Sequence, residues 1–168
     1  MNGGAMIVTA TFGDGDNGWL QELRRTHYPP ERNRVPAHLT LFRQLPPSAQ
    51  GELATRLAHF AAARPPFASI AGIMDLGEGT ALRVESEDLT RIRDELAEVF
   101  HGLLTPQDQA GWRPHVTIQN KVPRAEARAL QRQLRLSLQP RPLSIRALAA
   151  WRYRDGPWEP VRDWKFRL

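Results

Sequence analysis

Arg113-Pro114-His115-Val116-Thr117-Ile118-Gln119 is echoed earlier in the chain by Pro36-Ala37-His38-Leu39-Thr40-Leu41-Phe42. Each stretch carries a histidine, an apolar residue, a threonine and a second apolar residue. Short alternating runs rich in Val, Ile, Leu and Thr read as strands, in which residues i and i+2 point to one face. His38 and Thr40 therefore share a face, as do His115 and Thr117, while Leu39, Leu41, Val116 and Ile118 supply the opposite, core-packing faces. At about 3.3 Å per residue, each strand sets an imidazole and a hydroxyl roughly 6–7 Å apart. Such a pair can hold a phosphate and move a proton.

The elements around the two stretches repeat as well. Ala5–Phe12 reads as a buried strand, Gly13–Gly18 as a turn, and Trp19–Tyr28 as a short helix with Leu20, Leu23 and His27 on one side, stopped by Pro29-Pro30. The glycine and aspartate run of the turn lacks the closing glutamate of a calcium loop. A His-x-Thr strand over 35–45 follows, then a helix from Ser48 carrying Leu53, Leu57 and Phe60, then a strand over Phe67–Leu76. The second series starts with a strand over Thr80–Glu85. Its helix is capped by Ser86 or Asp88 and lined by Leu89, Ile92, Leu96, Val99, Phe100 and Leu103. The loop Thr105–Gly111 leads to the second His-x-Thr strand. A helix over 124–138 buries Ala127, Leu130, Leu134 and Leu138 and gathers Arg124, Arg128, Arg132 and Arg135 on another, solvated face. Leu143–Arg154, an Asp155-Gly156 turn and Val161–Leu168 predict a closing hairpin in which Trp164, Phe166 and Leu168 alternate.

His38 and His115 lie 77 residues apart, as do Phe67 and Ser144 near the starts of the closing strands. The order strand, helix, His-x-Thr strand, helix, strand thus occurs twice. This is an internal duplication, with halves of roughly 1–77 and 78–168 inside a single domain spanning 1–168. Two similar lobes facing one another would offer a ligand one His/Thr pair from each side. The remaining histidines, His27, His59 and His101, have packing, surface or helix-end explanations.

Composition narrows the chemistry. The 168 residues contain no cysteine, which removes disulfides, thiolate metal sites and a cysteine nucleophile. No stretch approaches the roughly 18 apolar residues of a membrane span, and Met1–Gly13 lacks the basic and apolar regions of a leader, so a cytoplasmic location is expected. The formal net charge is +5, yet residues 121–168 alone hold twelve Lys/Arg against four Asp/Glu. A basic tail of this kind favours polyanionic partners.

With its two matched motifs, and with Leu23-Arg24, Pro29-Pro30, Ala37–Arg43 and Pro114–Lys121 in this order, the sequence resembles the 2H phosphoesterase superfamily, and within it the bacterial 2′-5′ RNA ligase-like proteins. The resemblance covers nearly the whole chain. It implies an α+β bilobal fold of two antiparallel sheets with flanking helices and a cleft between the lobes. It also implies a phosphodiesterase site needing no metal or other cofactor, and substrates such as the 2′,3′-cyclic phosphate ends of RNA, related nucleotides or 2′-5′ phosphodiesters. The residues themselves point to the same chemistry. Opening a cyclic phosphodiester needs a base for water and an acid for the leaving oxygen, roles that His38 and His115 can divide, in either order, near neutral pH. Thr40 and Thr117 are the candidate phosphate donors.

Arg43, Trp112 and Lys121 are further candidate substrate contacts. On a regular strand Arg43 alternates away from Thr40, so its contact requires a bend. Where RNA-processing relatives often place an arginine after the second motif, this chain has Gln119-Asn120-Lys121. Trp112, Phe42 and Tyr28 are candidates for stacking on a base. Three functions remain open: a phosphodiesterase or its reverse, a 2′-5′ RNA ligase; an RNA-binding module without turnover; and a zinc hydrolase, for which no further ligand cluster is visible.

Overall fold

The computed structural model describes residues 3–168; Met1 and Asn2, part of the segment read above for a leader, lie outside the described residues. In chain order the elements are β1 (Ala5–Phe12), α1 (Asp14–His27), β2 (Leu39–Leu45), α2 (Gln50–Ala61), β3 (Ser69–Asp75), β4 (Thr80–Glu85) and α3 (Glu87–Val99). They continue with α4 (Pro106–Gln109), β5 (His115–Gln119), α5 (Arg124–Ser137), β6 (Arg141–Pro142), β7 (Ile145–Tyr153) and β8 (Glu159–Lys165). The strands form two four-stranded antiparallel sheets, in the orders β2-β1-β7-β8 and β5-β4-β3-β6. This is the α+β architecture expected from the sequence.

The sheets do not coincide with the sequence halves. In each sheet the His-x-Thr strand pairs with the first strand of its own half, which pairs with the closing strand of the other half: β2-β1-β7 and β5-β4-β3. The closing strands are thus exchanged, and β8 and β6 extend the two sheets. Both motif strands are left as sheet edges, with backbone groups that nothing in their own sheet can satisfy on the outer side.

The central strand β1 is apolar and β-branched because it is covered on both faces, with Met6, Val8 and Ala10 buried on one and Ile7 and Thr9 on the other. Leu53 and Leu57 of α2 and Leu89, Ile92 and Leu96 of α3 join Met6, Val8 and Ala10 in one core with Leu130 and Leu134 of α5. At about 25 cal/mol per Å² of apolar area removed from water, such a core dominates the stability. Ser86 caps α3, its hydroxyl accepting from Leu89 N at 3.0 Å.

Three local expectations are corrected. The run Asp14-Gly15-Asp16-Asn17-Gly18 is not a turn but the start of α1. Asp14 and Asp16 lie in its first turn, where negative charge meets the positive helix end, and Arg146 and Arg141 pair with them at 3.0 and 2.8 Å. Gly13 precedes the helix in close contact with Ser144: a Cβ there would stand 2.5 Å from Ser144 Oγ, which would have to turn away. The stripe on α3 ends before Leu103, because the helix stops at Val99 and Leu103 is exposed. The alternation at the C-terminus likewise ends early: Trp164 and Phe166 are buried, whereas Leu168 is fully exposed.

Candidate active site

The two histidines are held in the same way. His38 Nδ1–H donates to the carbonyl oxygen of Pro36 at 2.7 Å, and His115 Nδ1–H donates to that of Arg113 at 2.6 Å. A carbonyl can only accept, so each bond fixes the proton on Nδ1 and leaves Nε2 as the free position of the neutral ring. Each histidine thus bonds the carbonyl two residues before it, and the duplication seen in sequence extends to the tautomer.

A cavity of about 420 Å³ lies between the sheets; Thr40, Arg43, Trp112, His115, Thr117 and Asn120 are among its lining residues. Five of the expected site residues are therefore brought together. Arg43 reaches this cavity because β2 is bulged. Thr40 pairs with Thr9 and Phe42 with Val8, leaving Leu41 as an extra residue. The regular alternation expected from the sequence is broken there. His38 borders the site without belonging to that lining. Its ring packs against Trp158, with centroids 4.8 Å apart and planes inclined by 54°. Lys121 lies outside the lining, exposed in a left-handed turn after β5 with φ of 61°. Phe42 is fully buried under the guanidinium of Arg93 and offers no stacking face to a ligand. Tyr28 packs under Arg24, 4.5 Å from ring centre to guanidinium carbon.

The local electrostatics are cationic. Burial pushes His38 from its ordinary value near 6.5 down to about 4, against the pull of the Pro36 carbonyl; Arg24, His115 and Arg43 push it the same way. Part of the ring meets solvent, but it sits at a densely walled place where water cannot surround an imidazolium. Burial lowers His115 too, opposed by its bond to Arg113, with the charges of Arg43 and Arg113 adding to the lowering. The site thus holds neutral imidazoles beside fixed cations, an arrangement that favours an arriving anion and is itself changed by one.

Several groups outside the two His-x-Thr motifs frame the site. Arg24 of α1, only 3% exposed, donates from Nη1 to Thr117 O at 2.6 Å, from Nη2 to Val35 O at 2.8 Å and from Nε to Asn33 Oδ1 at 3.2 Å. It covers the open edge of β5 and ties it to the loop that carries His38. Arg93 of α3 does the reciprocal job on β2, donating from Nε to Leu41 O at 3.2 Å and from Nη2 to Asp108 O at 2.6 Å. The buried Asp108, on the short α4, accepts from the backbone N–H groups of Arg43 and Gln44 at 2.9–3.1 Å. Trp112 Nε1 donates to Thr40 O at 3.0 Å. The bonds of Arg24 to Thr117, Arg93 to Leu41, Asp108 to the β2 backbone and Trp112 to Thr40 all cross from one half of the chain to the other. A charged residue at a core position of a helical stripe, as at Arg24 after Leu20 and Arg93 after Leu89, was the available sequence signal; Asp108 and Trp158 had none.

No group of three or more His, Cys, Asp or Glu side chains placed to hold a metal ion occurs among the described residues. No helix among them is long and apolar enough to cross a membrane.

Comparison with known proteins agrees with this architecture. Among solved structures, protein TT0787 of Thermus thermophilus superposes with a TM-score of 0.63 at 15% identity, covering 97% of this chain and 98% of its own. Escherichia coli LigT complexed with 3′-AMP gives 0.61 at 14% identity with 99% of each chain covered. Its apo form gives 0.62 at 13%, with both chains covered completely. At these identities the likeness shows the fold. No curated protein sequence matches the chain. The family described as the 2′-5′ RNA ligase superfamily matches residues 12–157. With both histidine motifs inside that span and the fold shared over the whole chain, this protein belongs to the 2′-5′ RNA ligase superfamily.

Proposed function

We propose that this protein hydrolyses 2′,3′-cyclic phosphate, or related 2′-5′, phosphodiesters of RNA or nucleotides, with His38 and His115 as the acid and base and no metal. The observation that carries the reading is the matched pair of Nδ1–H bonds to the carbonyls of Pro36 and Arg113, which frees Nε2 on both rings. A hydrolysis of this kind needs one proton removed from water and one delivered to the departing ribose oxygen. His38, the more deeply depressed, is neutral at pH 7 and suits the base. The phosphate anion raises the proton affinity of the pair when it enters, so His115 takes up the proton that it then gives to the leaving oxygen.

Thr40 and Thr117 donate their hydroxyls to the non-bridging oxygens, and Arg43 adds a fixed positive charge as negative charge gathers on them. The partly buried walls of the cleft make such contacts stronger than they are in bulk water. The exchange of closing strands between the sheets supports reading residues 1–77 and 78–168 as duplicated halves of one domain, each supplying one His/Thr pair. LigT, which shares the fold, has been captured with 3′-AMP, and a 3′-nucleotide is one of the two products that opening a 2′,3′-cyclic phosphate can give.

The test is turnover, in excess chelator, on nucleoside 2′,3′-cyclic phosphates, nucleoside 3′,5′-cyclic phosphates and a 2′-5′-linked dinucleotide. Hydrolysis of the first or third that survives the chelator is the expected result. Activity that disappears with the chelator and returns with a divalent metal would overturn the reading.

A further inference from the structure

Beside His38 the structure carries a second feature that the two motifs do not explain. Trp158, in the turn between β7 and β8, lies 4.8 Å from the His38 ring and 6.0 Å from the Trp151 ring, centre to centre. Both tryptophans are only partly buried. Trp151 is fixed from behind, its Nε1–H donating to Thr9 Oγ1 at 3.0 Å. It also lines a groove of about 650 Å³ that reaches Pro36 and Ala37, the two residues before His38. Two indoles that keep part of their surface in water, Trp158 against a catalytic candidate and Trp151 in the lining of a groove large enough for a nucleoside, are poorly placed as core. Large, flat, polarisable faces of this kind suit a flat aromatic ligand.

We propose that Trp151 and Trp158 form the wall on which the nucleobase of the substrate stacks, making this protein selective for nucleoside phosphates over phosphodiesters that lack a base. The inference deepens the proposed function and rests on it. A 2′,3′-cyclic phosphate and the base on C1′ of the same ribose lie within one sugar of each other, so a phosphate presented to His38 puts its base among the neighbours of that histidine. Trp158 is such a neighbour and offers the stacking face, while Trp151, its ring inclined to that of Trp158 by 59°, forms the adjoining side and continues into the groove. The turn that carries Trp158, with Asp155 in the left-handed region at φ of 62° followed by Gly156 and Pro157, is outside both sheets and presents the indole beside His38. Stacking of this type tolerates any base, with purines favoured by their larger face.

The experiment compares two ligands that differ only in the base. Adenosine 3′-monophosphate and 1,4-anhydroribitol 3-phosphate, the same sugar phosphate without adenine, are titrated calorimetrically into the wild type, Trp158→Ala and Trp158→Phe. The wild type is expected to bind the adenosine ligand at least about tenfold more tightly, in the range that one base stacked on an aromatic ring supplies. Trp158→Ala is expected to lose most of that preference and Trp158→Phe to keep most of it. The same ratio is then read in kcat/KM on the two corresponding 2′,3′-cyclic phosphates. Equal binding of the two ligands by the wild type, or a preference unchanged in Trp158→Ala, would overturn the wall. If the preference is present and Trp158-dependent while neither cyclic phosphate is turned over, the wall stands and the proposed hydrolysis falls.

Discussion

Arg24 Nη1 donates to the carbonyl oxygen of Thr117 at 2.6 Å, joining residues 93 positions apart. With its second branch on Val35 O and its third nitrogen on Asn33, this one buried side chain sets the distance between the strand of one motif and the loop of the other. Replacing it with Met leaves three acceptors short of a donor inside the protein. A loss of about 2–4 kcal/mol in unfolding free energy is expected, read from urea titrations. Arg24→Lys restores the charge but not the fork and is expected to recover less than half of the loss.

A pH dependence follows from His38. Its folded value, about 4, lies below the ordinary 6.5 of an unfolded chain. Between these values the unfolded state binds the extra proton, so stability rises with pH. The contribution is complete above about 6.5 and is lost as pH falls toward 4. Urea midpoints measured across this window are expected to climb steeply in the wild type and to flatten in His38→Asn. An unchanged slope would show that the imidazole is not enclosed as described.

Arg24 and Arg43 also bear on the proposed chemistry, since both charges hold the His38 proton affinity down. Arg43→Gln is expected to move the acidic limb of the kcat/KM profile to higher pH and to raise KM by about tenfold as a charged phosphate contact is lost. A profile that stays in place would separate Arg43 from both histidines.

Asp108 is buried and accepts from the backbone N–H groups of Arg43 and Gln44. Asp108→Ala would leave both donors of the bulged strand unpaired, costing about 1–3 kcal/mol. Because Arg43 is held by that strand, kcat/KM is expected to fall along with stability. Asp108→Asn, which keeps an acceptor, is expected to lose less of both.

The sequence showed the parts of this site that repeat and concealed those that cross. His38, Thr40, His115 and Thr117 were legible as candidates because the same word occurs twice, although β2 begins at Leu39, one residue after His38, and not at Val35 as expected. The repeated order of short elements showed the duplication, and the two sheets were foreseeable from the family resemblance that the motifs carry. What periodicity cannot register is a contact between distant segments. The reach of Arg24 to Thr117, of Arg93 to Leu41 and of Trp112 to Thr40 is fixed by the strand exchange, which no local pattern encodes. The bulge at Leu41 that turns Arg43 into the cleft was equally silent, being set by pairing with β1. At Asp14–Gly18 the local pattern misled: glycines usual in turns were outweighed by two aspartates held in place by arginines 125 and 132 residues further on.

If one histidine from each half shares a single proton-transfer task, kcat on a 2′,3′-cyclic nucleotide in excess chelator will show it when His38→Ala, His115→Ala and the double variant are compared. Each single change is expected to lower kcat by about 10²–10⁴, and the double by far less than the product of the two, because an acid and a base acting in concert fail together. A single variant that retains near-normal turnover, with binding and folding intact, would contradict the account.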